Sequence, residues 1–100
     1  MVTVITRVAL REGSGPEWDA AMRERLAAAR DRQGWLGGQL LIPLEALNER
    51  LIVGTWQTRS DWEAWHDDET FTETRQRLDE LEAERTQSTW HEVLLDVRAA

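Results

Sequence analysis

Along VTVITRVAL the residues alternate, Val2, Val4, Thr6, Val8 and Leu10 against Thr3, Ile5, Arg7 and Ala9, and the β-branched content predicts a strand with two rather apolar faces. The period then changes. Ser14 and Glu17 have capping-box spacing, Pro16 falls in the first turn, and Trp18, Met22, Leu26 and Ala29 recur at helical intervals. A helix is expected over about 15–33, with Gly34 as its stop. WLGGQLLIP reads as a second strand ended by Pro43, LEALNER as a polar bend, and Arg50 to Thr58 as a third strand antiparallel to the second. In RSDWEAWHDDETFTETR, Ser60 with Glu63 and Thr70 with Glu73 repeat the capping spacing. Two helices in succession are expected, from Asp61 to His66 and from Phe71 to about Arg85, with the acidic run as their seam. TWHEVLLDV alternates again and predicts a fourth strand, with His91, Val93, Leu95 and Val97 on one side.

This order predicts an α+β fold of the ferredoxin-like, split βαβ kind, with a four-stranded antiparallel sheet in a single domain over residues 1–100. Helices can cover only one face of such a sheet. The other face is apolar too, and the expected cover is a second copy of the chain, giving a homodimer whose sheets face each other.

Composition narrows the function classes. The net charge is −7, with twelve arginines interleaved with acids and no lysine, so neither nucleic acid nor an anionic membrane is an expected partner. Cysteine is absent, which excludes disulfides and thiolate metal sites. Arg7 interrupts the apolar start, so no secretory signal or membrane span is read there, and a cytoplasmic location is expected. Consecutive helical residues point about 100° apart, so His66, Asp67, Asp68 and Glu69 do not converge on an ion, and no metal is expected. Neither a dinucleotide fingerprint nor a P-loop is present, and no cofactor is expected.

Six tryptophans in so small an acidic chain need a place. Trp62, Trp65 and His66 share one side of the short helix, as core anchors or as the wall of a cavity for a flat aromatic ligand. Trp56 on the third strand carries the same two readings. Phe71, Arg75, Leu78, Glu82 and Arg85 form one stripe of the long helix. Its two arginines either reach water or pair with Glu82, Glu92 or Asp96, or else hold an anionic substrate oxygen. His91 is a core residue or, as an imidazole, a candidate base for phenol deprotonation.

The stretch GWLGGQLLIPLEALNERLIVGTWQTRSDWEAWHDDETF resembles the antibiotic biosynthesis monooxygenase domain: a glycine-initiated strand, a strand ending in W-x-[ST], and a helix with tryptophan before a following phenylalanine. The likeness runs from Val2 to Val97 and implies a dimeric α+β barrel. It further implies a cofactor-independent monooxygenase, an oxidoreductase acting with O2 on a small aromatic phenol or quinol, or a non-catalytic dimer of the same fold that binds a small ligand. Members acting on polyketide phenols are similar here in the helix tryptophan, Trp65, and an arginine twenty residues on, Arg85. Their asparagine and tyrosine fall on Asp61 and Phe71. The haem-degrading branch has asparagine, tryptophan and an iron-binding histidine where this chain has Thr6, Trp65 and Arg75. Arginine offers iron no lone pair, so haem degradation is not expected. Spacing and resemblance together nominate Trp65, Arg75, Arg85, His66 and His91 as candidates for catalysis, and Thr6, Trp56, Asp61, Trp62 and Phe71 as candidates for substrate binding.

Overall fold

A computed structural model describes residues 1–100. Strand β1 (Val2–Ala9), helix α1 (Gly15–Ala29), strands β2 (Trp35–Leu41) and β3 (Glu49–Trp56), helices α2 (Arg59–His66) and α3 (Glu69–Asp79), and strand β4 (Gln87–Glu92) follow in that order. The sheet runs β2-β3-β1-β4 with every neighbouring pair antiparallel. This is the expected ferredoxin-like arrangement, with the helices layered on one face.

Register decides which side chains meet the helices. Val4 lies between Gly54 and Trp90, and Thr6 lies between Ile52 and Ser88. These rows floor the space beneath the helices. On the far face Thr3 bonds Thr55 through their hydroxyls at 2.9 Å, and Arg7 pairs with Glu49. Ile5, Leu51 and Val53 therefore stand on that far face by strand alternation.

Two apolar clusters sit between sheet and helices. Val8, Leu10, Trp18, Ala21, Met22 and Leu78 make one; Ala29, Trp56, Trp65 and Phe71 make the other. Gly38 admits a close approach between them and the β2 edge. A Cβ there would come 2.6 Å from the Val53 carbonyl oxygen and 2.7 Å from the Trp35 ring.

Several boundaries differ from the sequence reading. Helix α1 ends at Ala29, before the polar RDRQ that carries no apolar stripe. Ser14 opens it, but its hydroxyl donates to the Arg11 and Leu81 carbonyls at 2.7 and 2.8 Å and makes no capping bond. The cap of α2 is Thr58, which accepts from Asp61 N at 3.1 Å, and that of α3 is Asp68, which accepts from Thr70 N at 2.8 Å. Helix α3 stops at Asp79 because the following chain pairs with the extension of β1: Ala83 N donates to Ala9 O at 2.8 Å and Arg11 N to Leu81 O at 2.9 Å. Strand β4 ends at Glu92 because its partner does. Val2 faces Glu92, and one further bond joins Val93 N to Met1 O. Leu94, Leu95 and Val97, expected in that strand, are 94, 80 and 79% exposed.

Candidate active site

Between the sheet and the helices lies a cavity of about 420 Å³. One end is aromatic, walled by Trp35, Trp56, Trp62, Trp65, Phe71 and Trp90. Five of the six tryptophans thus surround it, and only Trp18 belongs to the core alone. Their packing is edge to face. Trp35 meets Trp56 at 5.1 Å and 78°, and Trp62 meets Trp90 at 5.2 Å and 88°. Trp65 meets Phe71 at 5.7 Å and 76°. Such pairs hold the rings at fixed angles to one another around the cavity.

His66 stands at this end, where the helical spacing of α2 puts it beside Trp62 and Trp65. Its ring lies 3.7 Å from Trp62 and 4.1 Å from Phe71, centroid to centroid. Nδ1 is 2.9 Å from the Trp62 carbonyl oxygen. A carbonyl only accepts, so the proton sits on Nδ1 and Nε2 keeps its lone pair. Burial pushes the imidazole pKa below 6.5, the Trp62 hydrogen bond opposes this, and nearby Arg25 and Arg75 lower it further while Asp67 opposes. The ring is neutral at pH 7.

A charged side of the cavity adjoins this aromatic wall at Phe71. Arg25, Arg75 and Arg85 line it with Asp79 and Glu82, three guanidinium groups against two carboxylates, in a chain whose net charge is −7. The arginines differ sharply in setting. Arg75, read from sequence as inward, is 57% exposed and lies 3.8 Å from Asp79, one turn on. Arg85 lies beyond the end of α3, so it belongs to no helical stripe and is exposed. Arg25 on α1 is the desolvated one. Its Nε donates to Thr74 Oγ1 and its Nη2 to the Phe71 carbonyl, both at 2.9 Å, and its guanidinium carbon sits 3.9 Å over the Phe71 ring. Burial first, then Arg75, lowers its pKa to about 10, with Glu82 and Asp79 acting the other way. Glu82 accepts from Trp18 Nε1 at 3.0 Å. Burial raises its carboxyl above 4.5 despite that bond.

Of the residues singled out from sequence, the cavity gathers Thr6, Trp56, Trp62, Trp65, His66, Phe71, Arg75 and Arg85. Thr6 is bonded to Ser88 Oγ at 2.9 Å. Two others stand elsewhere. Asp61, inside the first turn of α2, accepts from the hydroxyl of the Thr58 cap at 2.8 Å and packs under Gly34, where a Cβ would come 2.2 Å from its carboxylate. His91 pairs with Thr3 in register, so it lies on the far face of the sheet, with Nδ1 3.2 Å from the Thr3 carbonyl oxygen. Its neighbour Trp90 takes the cavity side. Trp35, Trp90 and Arg25 went unassigned in the sequence reading. For Arg25 a signal existed: it follows Met22 by three and precedes Ala29 by four, on the buried stripe of α1. No three His, Cys, Asp or Glu side chains converge to hold a metal ion.

Comparison with known proteins gives this cavity a family. A heme oxygenase (mycobilin-producing) of Mycobacterium tuberculosis is 30% identical over 64 residues, 64% of this chain and 61% of its own length. The chain thus spans less than two thirds of that relative. A provisionally assigned antibiotic biosynthesis monooxygenase from Nitrosomonas europaea superposes with a TM-score of 0.89 at 15% identity, covering 95% of this chain and 100% of its own. SnoaB, a cofactor-independent oxygenase from Streptomyces nogalater, superposes at 0.85 with 14% identity, covering 98% and 97%. At these identities the structures establish the fold. The sequence model of the family described as antibiotic biosynthesis monooxygenase matches residues 1–77, and with that match the chain belongs to the antibiotic biosynthesis monooxygenase family.

Proposed function

We propose that the protein is a cofactor-independent monooxygenase of a small aromatic phenol or quinol, working as a homodimer. The observation that carries this reading is the neutral His66, with Nε2 free to accept a proton, set in the wall of a tryptophan-lined cavity. The reaction asks little else of a protein. Nε2 takes the proton of the substrate hydroxyl, and the resulting anion passes one electron to O2. The radical pair joins through a new C–O bond, and the hydroperoxide loses water to leave a carbonyl. One O2 is consumed and one H2O released for each quinone formed, with the substrate as the only reductant. The guanidinium groups beside the rings favour the anion, and the aromatic walls offer it an apolar surface.

Cover for the far face of the sheet is assigned to a second copy. That face has Ile5, Leu51 and Val53 at its centre, hydroxyls of Thr3 and Thr55 beside them, and its one charge pair, Arg7 with Glu49, already neutralised. Two such faces meet without like-charge conflict.

Oxygen uptake with 1-naphthol and anthrone as substrates tests the reaction. Uptake above the uncatalysed rate is expected, and His66→Ala should lower kcat/KM about 100-fold or more, in the range for loss of a general base. No uptake, together with tryptophan quenching by the same compounds, would support instead a non-catalytic small-ligand module. Haem titration covers the activity named for the mycobacterial relative. Arg75 offers no ligand to iron, and no stoichiometric Soret shift is expected; such a shift would replace the phenol reading.

A further inference from the structure

We infer that Arg25 is the anion-binding residue of the cavity, so that the site selects an aromatic ligand carrying an ionised oxygen, phenolate or carboxylate, over a neutral arene of the same shape. The inference rests on the cavity being an aromatic-binding site, as proposed above, but not on turnover.

A donor inventory supports it. A guanidinium has five N–H groups, and Arg25 spends one from Nε on Thr74 Oγ1 and one from Nη2 on the Phe71 carbonyl. The three that remain, including both on Nη1, have no protein acceptor, and no carboxylate lies within ion-pair distance of this arginine. Contrast Arg50, the other inward guanidinium. It is held by both oxygens of Asp19 and by the Leu47 and Glu49 carbonyls, all between 2.8 and 3.1 Å. No side-chain nitrogen is both buried and unpaired, so these N–H groups open onto the cavity, where a partly desolvated guanidinium forms charge-assisted bonds to an anion that replaces water.

Position supports it too. The two bonds fix the plane of the guanidinium between α1 and α3, and its stacking on Phe71 puts it against a ring that the His66 imidazole also touches. One guest can therefore lie against the aromatic wall and present an oxygen to Arg25. Arg75 and Arg85 add positive charge at the rim from exposed positions, where water screens them. Glu82 and Asp79 act as a brake, lowering the potential toward any anion, yet the wall keeps its surplus of one positive charge.

Three probes of one ring system read this out by tryptophan quenching: naphthalene, 2-naphthoate, and 1-naphthol above and below its own pKa. The wild-type protein should bind 2-naphthoate and 1-naphtholate at least ten times more tightly than naphthalene. A ratio near one overturns the inference without recourse to any variant. Arg25→Met should remove the preference while leaving naphthalene within about twofold, and Arg25→Lys, which keeps the charge without the fork, should retain part of it. The control Arg77→Met alters an exposed arginine of α3 paired with Glu24 and should change neither. Equal loss of all three probes in Arg25→Met would mean a structural role only. Preference for the naphthoate without O2 uptake removes the oxygenase reading and leaves this one; uptake with an unaltered preference in Arg25→Met does the reverse.

Discussion

His66 and Glu82 both line one cavity, and burial moves both toward their neutral forms. Their linkage to stability has opposite signs. Just below pH 6.5 the unfolded chain takes up a proton on His66 that the folded chain refuses, so stability falls as pH is lowered through that window. Just above pH 4.5 the folded chain retains a proton on Glu82 that the unfolded chain has released, so stability falls as pH rises there. In thermal melts against pH, His66→Gln should flatten the first slope and Glu82→Gln the second, the amide oxygen still accepting from Trp18. That Trp62, Trp65 and His66 share one side of a short helix was legible from their i, i+3, i+4 spacing, and all three line the cavity. Arg25 was hidden by its type. A single arginine among Trp18, Met22, Leu26 and Ala29 looks like a helix-face charge until α3 is seen to cross above it. For Asp61 and His91 the reverse holds: their chemistry drew notice, but one is used by a helix cap and the other faces away by one step of strand alternation.

Elements were legible where local periodicity and tertiary pairing agree, as in β1, α1 and β3. They were misjudged where pairing overrides propensity. Residues 80–83 continue a helical pattern, yet bonds between Arg11 and Leu81 and between Ala83 and Ala9 draw them out of α3. Displaced caps have a local origin: Thr58 and Asp68 each stand two residues ahead of the residue that the capping-box spacing selects, and each accepts from a backbone N–H two or three residues on. Arg50 shows what pairing does inside an element. It sits on the helix side of β3, 7% exposed, and the carboxylate of Asp19 joins it to α1. Asp19→Ala leaves that guanidinium half-satisfied and should destabilise the protein by about 3 kcal/mol, the low end for a broken buried pair because Asp19 is itself 25% exposed. Urea unfolding measures it.

For the molecule as a whole, the order of strands and helices was enough to anticipate the ferredoxin-like sheet, because few topologies fit that order. The second subunit proposed above rests on the apolar far face of that sheet. Velocity sedimentation at micromolar concentration should show a dimer, and a charge placed at the centre of the far face, Val53→Glu, should shift it to a monomer that still folds. A persistent monomer in the wild type would sink the assignment of that face. The cavity could not be sized from sequence, since its volume depends on how far α2 and α3 stand from β4. That spacing has an optical consequence. Paired indoles about 5 Å apart at nearly right angles, as in Trp35 with Trp56 and Trp62 with Trp90, couple their transition dipoles and give an exciton couplet in circular dichroism. The spectrum of this protein should therefore carry a signature of its aromatic chamber superimposed on that of its helices, and Trp90→Phe should remove the contribution of the Trp62–Trp90 pair while leaving the backbone signal in place.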